Sequence, residues 1–149
     1  MKAAAPELVW LVSSASGGWR GTVPLWPFSR PRPTGLLEFL GGQPLEVRVI
    51  CGHAFPMVEP SVRPLSLEPP FRALGWTSWH VAPGGTLCLL QESALWDPSS
   101  AAADLVPKIS GWYVEFRLMT AGHIGAMTEY GIAEDDSLDG LLADLGRPR

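Results

Sequence analysis

The alternation in Leu45-Glu46-Val47-Arg48-Val49-Ile50-Cys51 constrains the fold of this chain more than any other feature. Successive side chains of a strand point to opposite faces, so Leu45, Val47, Val49 and Cys51 share one apolar face. A sheet with a single apolar face belongs to an antiparallel architecture covered on one side by helices. Two segments supply such helices. Pro107 suits the first turn of a helix that runs to Thr120, where its missing N–H costs nothing. Within that helix Ile109, Trp112, Phe116 and Met119 are spaced by three, four and three residues, a stripe made to pack on a sheet. Leu138, Leu141, Leu142 and Leu145 repeat the pattern over Ser137 to Leu145, and Glu134, Asp135 and Asp136 favour the positive start of that helix. Further strands are expected within Trp19 to Phe28, ending at the Pro-rich loop around Pro31, and within Val62 to Leu67. Leu8, Leu11 and Val12 predict a short first helix over Ala3 to Val12, stopped by Ser13-Ser14-Ala15-Ser16-Gly17-Gly18. The expected fold is α/β in the broad, α+β sense: one domain over residues 1–149 with a mainly antiparallel four-stranded sheet.

Composition narrows the function classes. The chain has 149 residues, 46% of them hydrophobic and 17% charged, enough apolar material for a packed core. A formal charge of −4, with eleven scattered Lys and Arg residues and only Arg30-Pro31-Arg32 clustered, argues against nucleic acid as a partner. Leu8 to Val12 is the only continuous apolar run near the start, which predicts neither a signal peptide nor a membrane span. Cys51 and Cys88 are too few for a disulfide framework, so free thiols in the cytoplasm are expected, with Cys51 facing the core.

Cys88 carries the chemistry. It lies in Gly85-Thr86-Leu87-Cys88-Leu89, behind Pro83-Gly84-Gly85, and Trp96-Asp97-Pro98 follows eight residues later. A cysteine thiolate attacks carbonyls, and a thioester keeps the acyl group activated for a second transfer. Three other readings compete with it. A cysteine among leucines is commonly an inert core residue. Cys51, His53, His80 and Cys88 are zinc-type donors, but their spacing matches no paired ligand set. A Cys-His hydrolase would pair Cys88 with His53, His80 or His123, with Asp97 or Asp104 orienting the base. No helix N-terminus is evident beside Cys88 to stabilise a thiolate.

Gly-x-Leu-Cys-Leu with Trp-x-Pro eight residues downstream resembles the active-site segment of ubiquitin-conjugating enzymes. Phe55-Pro56-Met57-Val58-Glu59-Pro60, followed by Ser61-Val62-Arg63, is similar to that family's aromatic-Pro-x-x-x-Pro turn leading into its third strand. His80 stands where the family's His-Pro-Asn approaches the cysteine. The similarity spans roughly Leu45 to Phe116. It breaks at His80-Val81-Ala82, where the asparagine is missing and the interval to the cysteine is shorter. Divergent bacterial relatives resemble the chain in keeping the cysteine and tryptophan while varying the asparagine, and its Ala, Gly, Pro, Arg and Trp bias suits a high-GC bacterial source.

The resemblance implies a UBC-like fold, with the active-site cysteine in the loop after the sheet, and a transferase needing neither metal nor organic cofactor. Cys88 would accept the C-terminal carbonyl of a ubiquitin-like protein from an activating enzyme and pass it to an amine, hydroxyl or thiol of a target protein. His80, Gly85, Trp96, Asp97 and Pro98 would support it: His80 in the loop or at the acyl carbonyl, Trp96 packing the cysteine segment, Pro98 fixing the turn, Asp97 capping that turn or orienting the acceptor. Backbone N–H groups around Gly84 to Leu87 are the candidate replacements for the asparagine as oxyanion donors. The non-enzymatic alternative is a binding module that holds a ubiquitin-like protein or a partner without forming a thioester.

Overall fold

The computed structural model describes residues 1–12, 17–90 and 96–145. Four antiparallel strands form one sheet in the order β1 (Val9–Val12), β2 (Gly17–Thr22), β3 (Glu46–Cys51) and β4 (Ser61–Pro64). Among the described residues three α-helices accompany it: α1 (Leu36–Phe39), the long α2 (Leu105–Thr120) and α3 (Asp139–Leu145). The architecture is therefore α+β with a four-stranded antiparallel sheet.

The alternation in β3 has its expected consequence. Val47, Val49 and Cys51 are buried while Arg48 is exposed, and Val62 of β4 is buried beside Arg63, which is exposed. That apolar face shares a continuous core with α2. The helix starts at Leu105, so Pro107 occupies its first turn. Burial goes far beyond the stripe of Ile109, Trp112, Phe116 and Met119: twelve of the sixteen residues are buried, including Ser110, Gly111 and Glu115. Polar anchors fix its rotation. Ser110 Oγ donates to the Pro24 carbonyl at 2.7 Å, Tyr113 to the Gln43 carbonyl at 2.9 Å, and Trp112 Nε1 to the Trp79 carbonyl at 3.0 Å.

Gly111 explains how the C-terminal segment comes so close. A methyl group there would stand 2.7 Å from Ile132 Cγ2 and 3.3 Å from the Ala133 amide nitrogen. Arg30 clamps the same segment from the other side, with Nε 2.7 Å from Asp139 Oδ2 and Nη2 2.6 Å from the Ile132 carbonyl. Its guanidinium also lies over the rings of Trp26 and Phe28, each 5.0 Å away. The Pro-rich loop and α3 are thus joined through one planar cation, a geometry lysine does not reproduce.

The structure departs from the expectations at four places. Ala3 to Val12 is not a helix: turns occupy its first part, Ala5 and Leu8 are buried, and Val9–Val12 is the edge strand. The competing factor is β2, whose glycines let β1 approach; a Cβ at Gly17 would meet Trp10 at 2.3 Å, and Trp10 packs edge-on against Trp19. Of the expected stop, Ser13-Ser14-Ala15-Ser16 lies outside the described residues, while Gly17 and Gly18 open β2. The aromatic-Pro-x-x-x-Pro segment leads into β4, the fourth strand rather than the third. Finally, α1 was not anticipated; its four residues are too few for periodicity to reveal, yet Leu36 and the following Leu40 are fully buried. The last helix begins at Asp139, two residues later than expected, with Leu142 fully buried.

A Gly111→Ala substitution tests the close approach. The added methyl gains about 1 kcal/mol of helix propensity but loses about 1–3 kcal/mol to the overlap with Ile132. The expected result is a lower urea midpoint at unchanged m-value.

Candidate functional site

Between β4 and α2 the chain folds into a small hairpin that presents Cys88. A 3₁₀ turn, Thr77–Trp79, ends at His80, whose φ of 48° and ψ of 44° are left-handed. That conformation is uncommon for a residue with a side chain, and here it reverses the chain into the hairpin. The His80 carbonyl accepts the Cys88 N–H at 2.9 Å, Val81 bridges Leu87, and Ala82 N–H bonds to Thr86 O at 2.8 Å. The tip is Pro83-Gly84-Gly85, with Gly85 N–H bonded to Ala82 O and Gly85 at φ 82°. A three-residue hairpin loop needs a left-handed residue at its third position, the role Gly85 fills. Arg63 Nη2 holds the Gly84 carbonyl at 2.8 Å, and Leu87 N–H reaches Val62 O at 2.9 Å, so the hairpin is fastened to β4.

His80 and Cys88 therefore face one another across a hairpin end. Cys88 is exposed, whereas Cys51 is buried in β3. Two clefts meet along the ridge formed by His80, Cys88, Leu89 and Leu90. The first, about 350 Å³, runs between α2 and the segment from Met127 to Glu134, over Trp112 and Glu115. The second, about 690 Å³, is walled by Val58, Glu59, Pro60, Trp76 and Pro83, with Leu105 of α2 on it as well. Cys88 is open to both.

Electrostatics leave Cys88 as a thiol at rest. Partial burial pushes the thiol up, and the negative charge of Glu59 adds to it. Glu59 is itself raised by burial. A hydrolase nucleophile needs the opposite, a cation or a helix N-terminus that lowers the thiol. His53 and His123 are exposed and line neither cleft, nor does Asp104. Among the described residues no three His, Cys, Asp or Glu side chains converge in a metal-binding group.

The other expected support residues divide. Trp96 is buried and donates from Nε1 to the Pro56 carbonyl at 2.8 Å, and its ring lies 6.4 Å from Phe55. It ties the start of the α2 approach to the aromatic-Pro segment, a packing role. Asp97 is committed to a turn: Oδ1 accepts both the Ser99 N–H and the Ser99 hydroxyl at 2.8 Å, and these bonds lower its carboxyl. It lines neither cleft. Pro98 lies in the same turn. Of the backbone donors expected around Gly84 to Leu87, Gly85 and Leu87 are spent within the hairpin and on β4.

Two residues escaped the sequence reading. Glu59 occupies a variable position of the aromatic-Pro motif, where its only signal was a charge set between Val58 and Pro60. Glu115 lies off the apolar stripe of α2, so periodicity places it in solvent; instead it is 1% exposed. The Thr128 hydroxyl and amide both donate to its carboxylate, the amide at 3.2 Å. Burial outweighs those bonds and raises the carboxyl, with Asp135 adding a smaller push.

That rise has a defined stability consequence. A carboxyl raised in the folded state favours folding below its unfolded pKa and loses that contribution as pH climbs through the folded value. Relative to Glu115→Gln, the wild-type protein is therefore expected to lose stability as pH rises from the ordinary glutamate range upward. Urea unfolding of both proteins across that range checks the direction. No protein-family model, curated protein or solved structure matches this chain.

Proposed function

We propose that the protein is a ubiquitin-conjugating-enzyme-like acyl transferase with a divergent UBC-like fold, acting in a bacterial-type ubiquitin-like pathway. Cys88 takes the C-terminal carbonyl of a ubiquitin-like protein from the activating enzyme's thioester and hands it to a target. The observation that carries this reading is the placement of Cys88: exposed, at the end of a hairpin beyond a four-stranded antiparallel sheet, and open to two clefts. A transferase needs two approaches to one sulfur, one for the donor and one for the acceptor. The resemblance in Gly-x-Leu-Cys-Leu, Trp-x-Pro and the aromatic-Pro segment supplies the family.

The chemistry asks little of the protein beyond positioning. Exchange between two thioesters is nearly balanced, so holding the carbonyl against the sulfur and stabilising the oxyanion are the main tasks. His80 is fixed across from Cys88 through the bond between its carbonyl and the Cys88 amide, and it lines both clefts. It serves as a positioning residue where the asparagine is missing.

A specific observation favours the binding-module alternative: the raised Cys88 thiol is a poor resting nucleophile. The two readings separate in one experiment. The protein is incubated with activating enzyme, ATP and ubiquitin-like protein encoded beside it, then followed by non-reducing gel and intact mass. A thiol-labile adduct is expected, abolished in Cys88→Ala and retained in Cys51→Ala. His80→Ala is expected to slow its formation about tenfold, the rate equivalent of 1.4 kcal/mol. No adduct, with the activating enzyme shown to be charged, selects the binding module.

A further inference from the structure

We propose that the sheet face turned away from α2 docks an extended acidic segment of a partner protein, held by Arg20, Arg48 and Arg63. This surface is separate from Cys88, and its role holds whether or not Cys88 carries an acyl group.

The strand registers generate it. Arg20 of β2 stands directly opposite Arg48 of β3, and Arg48 directly opposite Arg63 of β4. All three are exposed, on the face opposite to the buried Val47, Val49 and Val62. Like charges directly opposite one another destabilise a sheet. Yet in a chain of formal charge −4, three of the eleven basic residues form one unbroken row across neighbouring strands. An anion on the row removes that repulsion. Glu46 shows how: its carboxylate, on the same face two residues before Arg48, accepts from Arg20 Nε at 3.0 Å. Arg63 donates from Nη2 to the Gly84 carbonyl. Arg48, in the middle, has no side-chain hydrogen bond or ion pair within the described residues. Its planar fork matches a carboxylate in two parallel bonds.

Shape and surroundings select the occupant. The row spans two inter-strand steps, about 10 Å, and alternate side chains of an extended chain stand about 6.8 Å apart, so about three acidic residues on one side of a segment cover it. Val9 continues the row on β1 and Leu11 follows on the same face, 61% and 46% exposed, ready for apolar side chains that accompany the acidic ones. Neither cleft is lined by these two residues or by the three arginines. A nucleic-acid strand stacks its bases on aromatic rings. None of the strand residues on this face is aromatic, because Trp10 and Trp19 align with buried Val49 on the other side. An anionic bilayer would meet the net negative charge of the whole molecule and would strip water from the backbone edge of β1. A short acidic segment senses only the local row, since the Debye length in physiological salt is about 8 Å.

Fluorescence anisotropy with a rhodamine-labelled oligoglutamate peptide tests the assignment, with oligoglutamine of equal length as the uncharged control. The wild-type protein is expected to bind the glutamate peptide alone, and less tightly as salt is raised. Arg48→Gln is expected to weaken binding about tenfold, the loss of one charge-assisted contact, and Arg48→Glu to abolish it. Arg32→Gln, which removes the same charge from the exposed Pro-rich loop, leaves binding unchanged. Stability moves the other way: Arg48→Gln keeps or raises the urea midpoint, because repulsion from Arg20 and Arg63 is relieved. Equal binding by the wild type and Arg48→Glu, or equal weakening in Arg32→Gln, overturns the proposal. A lowered midpoint in Arg48→Gln gives Arg48 a structural role and overturns it as well. So does tighter binding to phosphatidylglycerol vesicles or to single-stranded oligodeoxythymidylate that is lost in Arg48→Glu, since the row then serves a bilayer or a nucleic acid.

Discussion

Burial of α2 on nearly every side is the constraint around which the rest of the molecule is arranged. A helix that packs only on a sheet needs one apolar stripe; this one also buries Gly111, Val114, Glu115 and Leu118. Its remaining surface is covered by chain lying after it, which reaches the helix axis because Gly111 has no side chain. That covering segment is then held from outside by Arg30. The wall of the smaller cleft is made by the same device, since Met127 to Glu134 both shields α2 and borders Cys88. Core packing and site geometry are consequently inseparable here.

The hairpin carrying Cys88 depends on a different principle, the satisfaction of backbone groups. Its approaches His80 to Cys88, Ala82 to Thr86 and Leu87 to Val62 are main-chain bonds, and the Arg63 side chain fastens only the tip. Side chains are freed from structural duty at the one place where chemistry is proposed. His80 accepts a left-handed backbone to make the reversal, and such local cost is sustained only where surrounding structure enforces it. Trp112 supplies that enforcement through its bond to the Trp79 carbonyl, directly preceding His80.

How much was legible in the sequence follows from which interactions are local. Period-two alternation located β3 and its buried face, and period 3.6 with Pro107 located α2, because both patterns are written in consecutive residues. The Trp10 segment misled, since its strand state is set by glycines on β2 rather than by its own spacing. The exposure of Cys88 and burial of Cys51 agree with their local contexts. Asp97 was legible as a turn cap and Glu115 was not legible as buried, because nothing within α2 announces the segment that covers it. Glu59 belongs with Glu115: its proximity to Cys88 joins residues 29 apart in the chain through a cleft no periodicity encodes.

On the proposed carrier reading, the charge of Glu59 bears differently on Cys88 before and after acylation. A carboxylate beside the nucleophile suppresses the thiolate, which slows acquisition of an acyl group and guards the free thiol against adventitious alkylation or oxidation. Once Cys88 is acylated, the sulfur no longer titrates and that penalty vanishes.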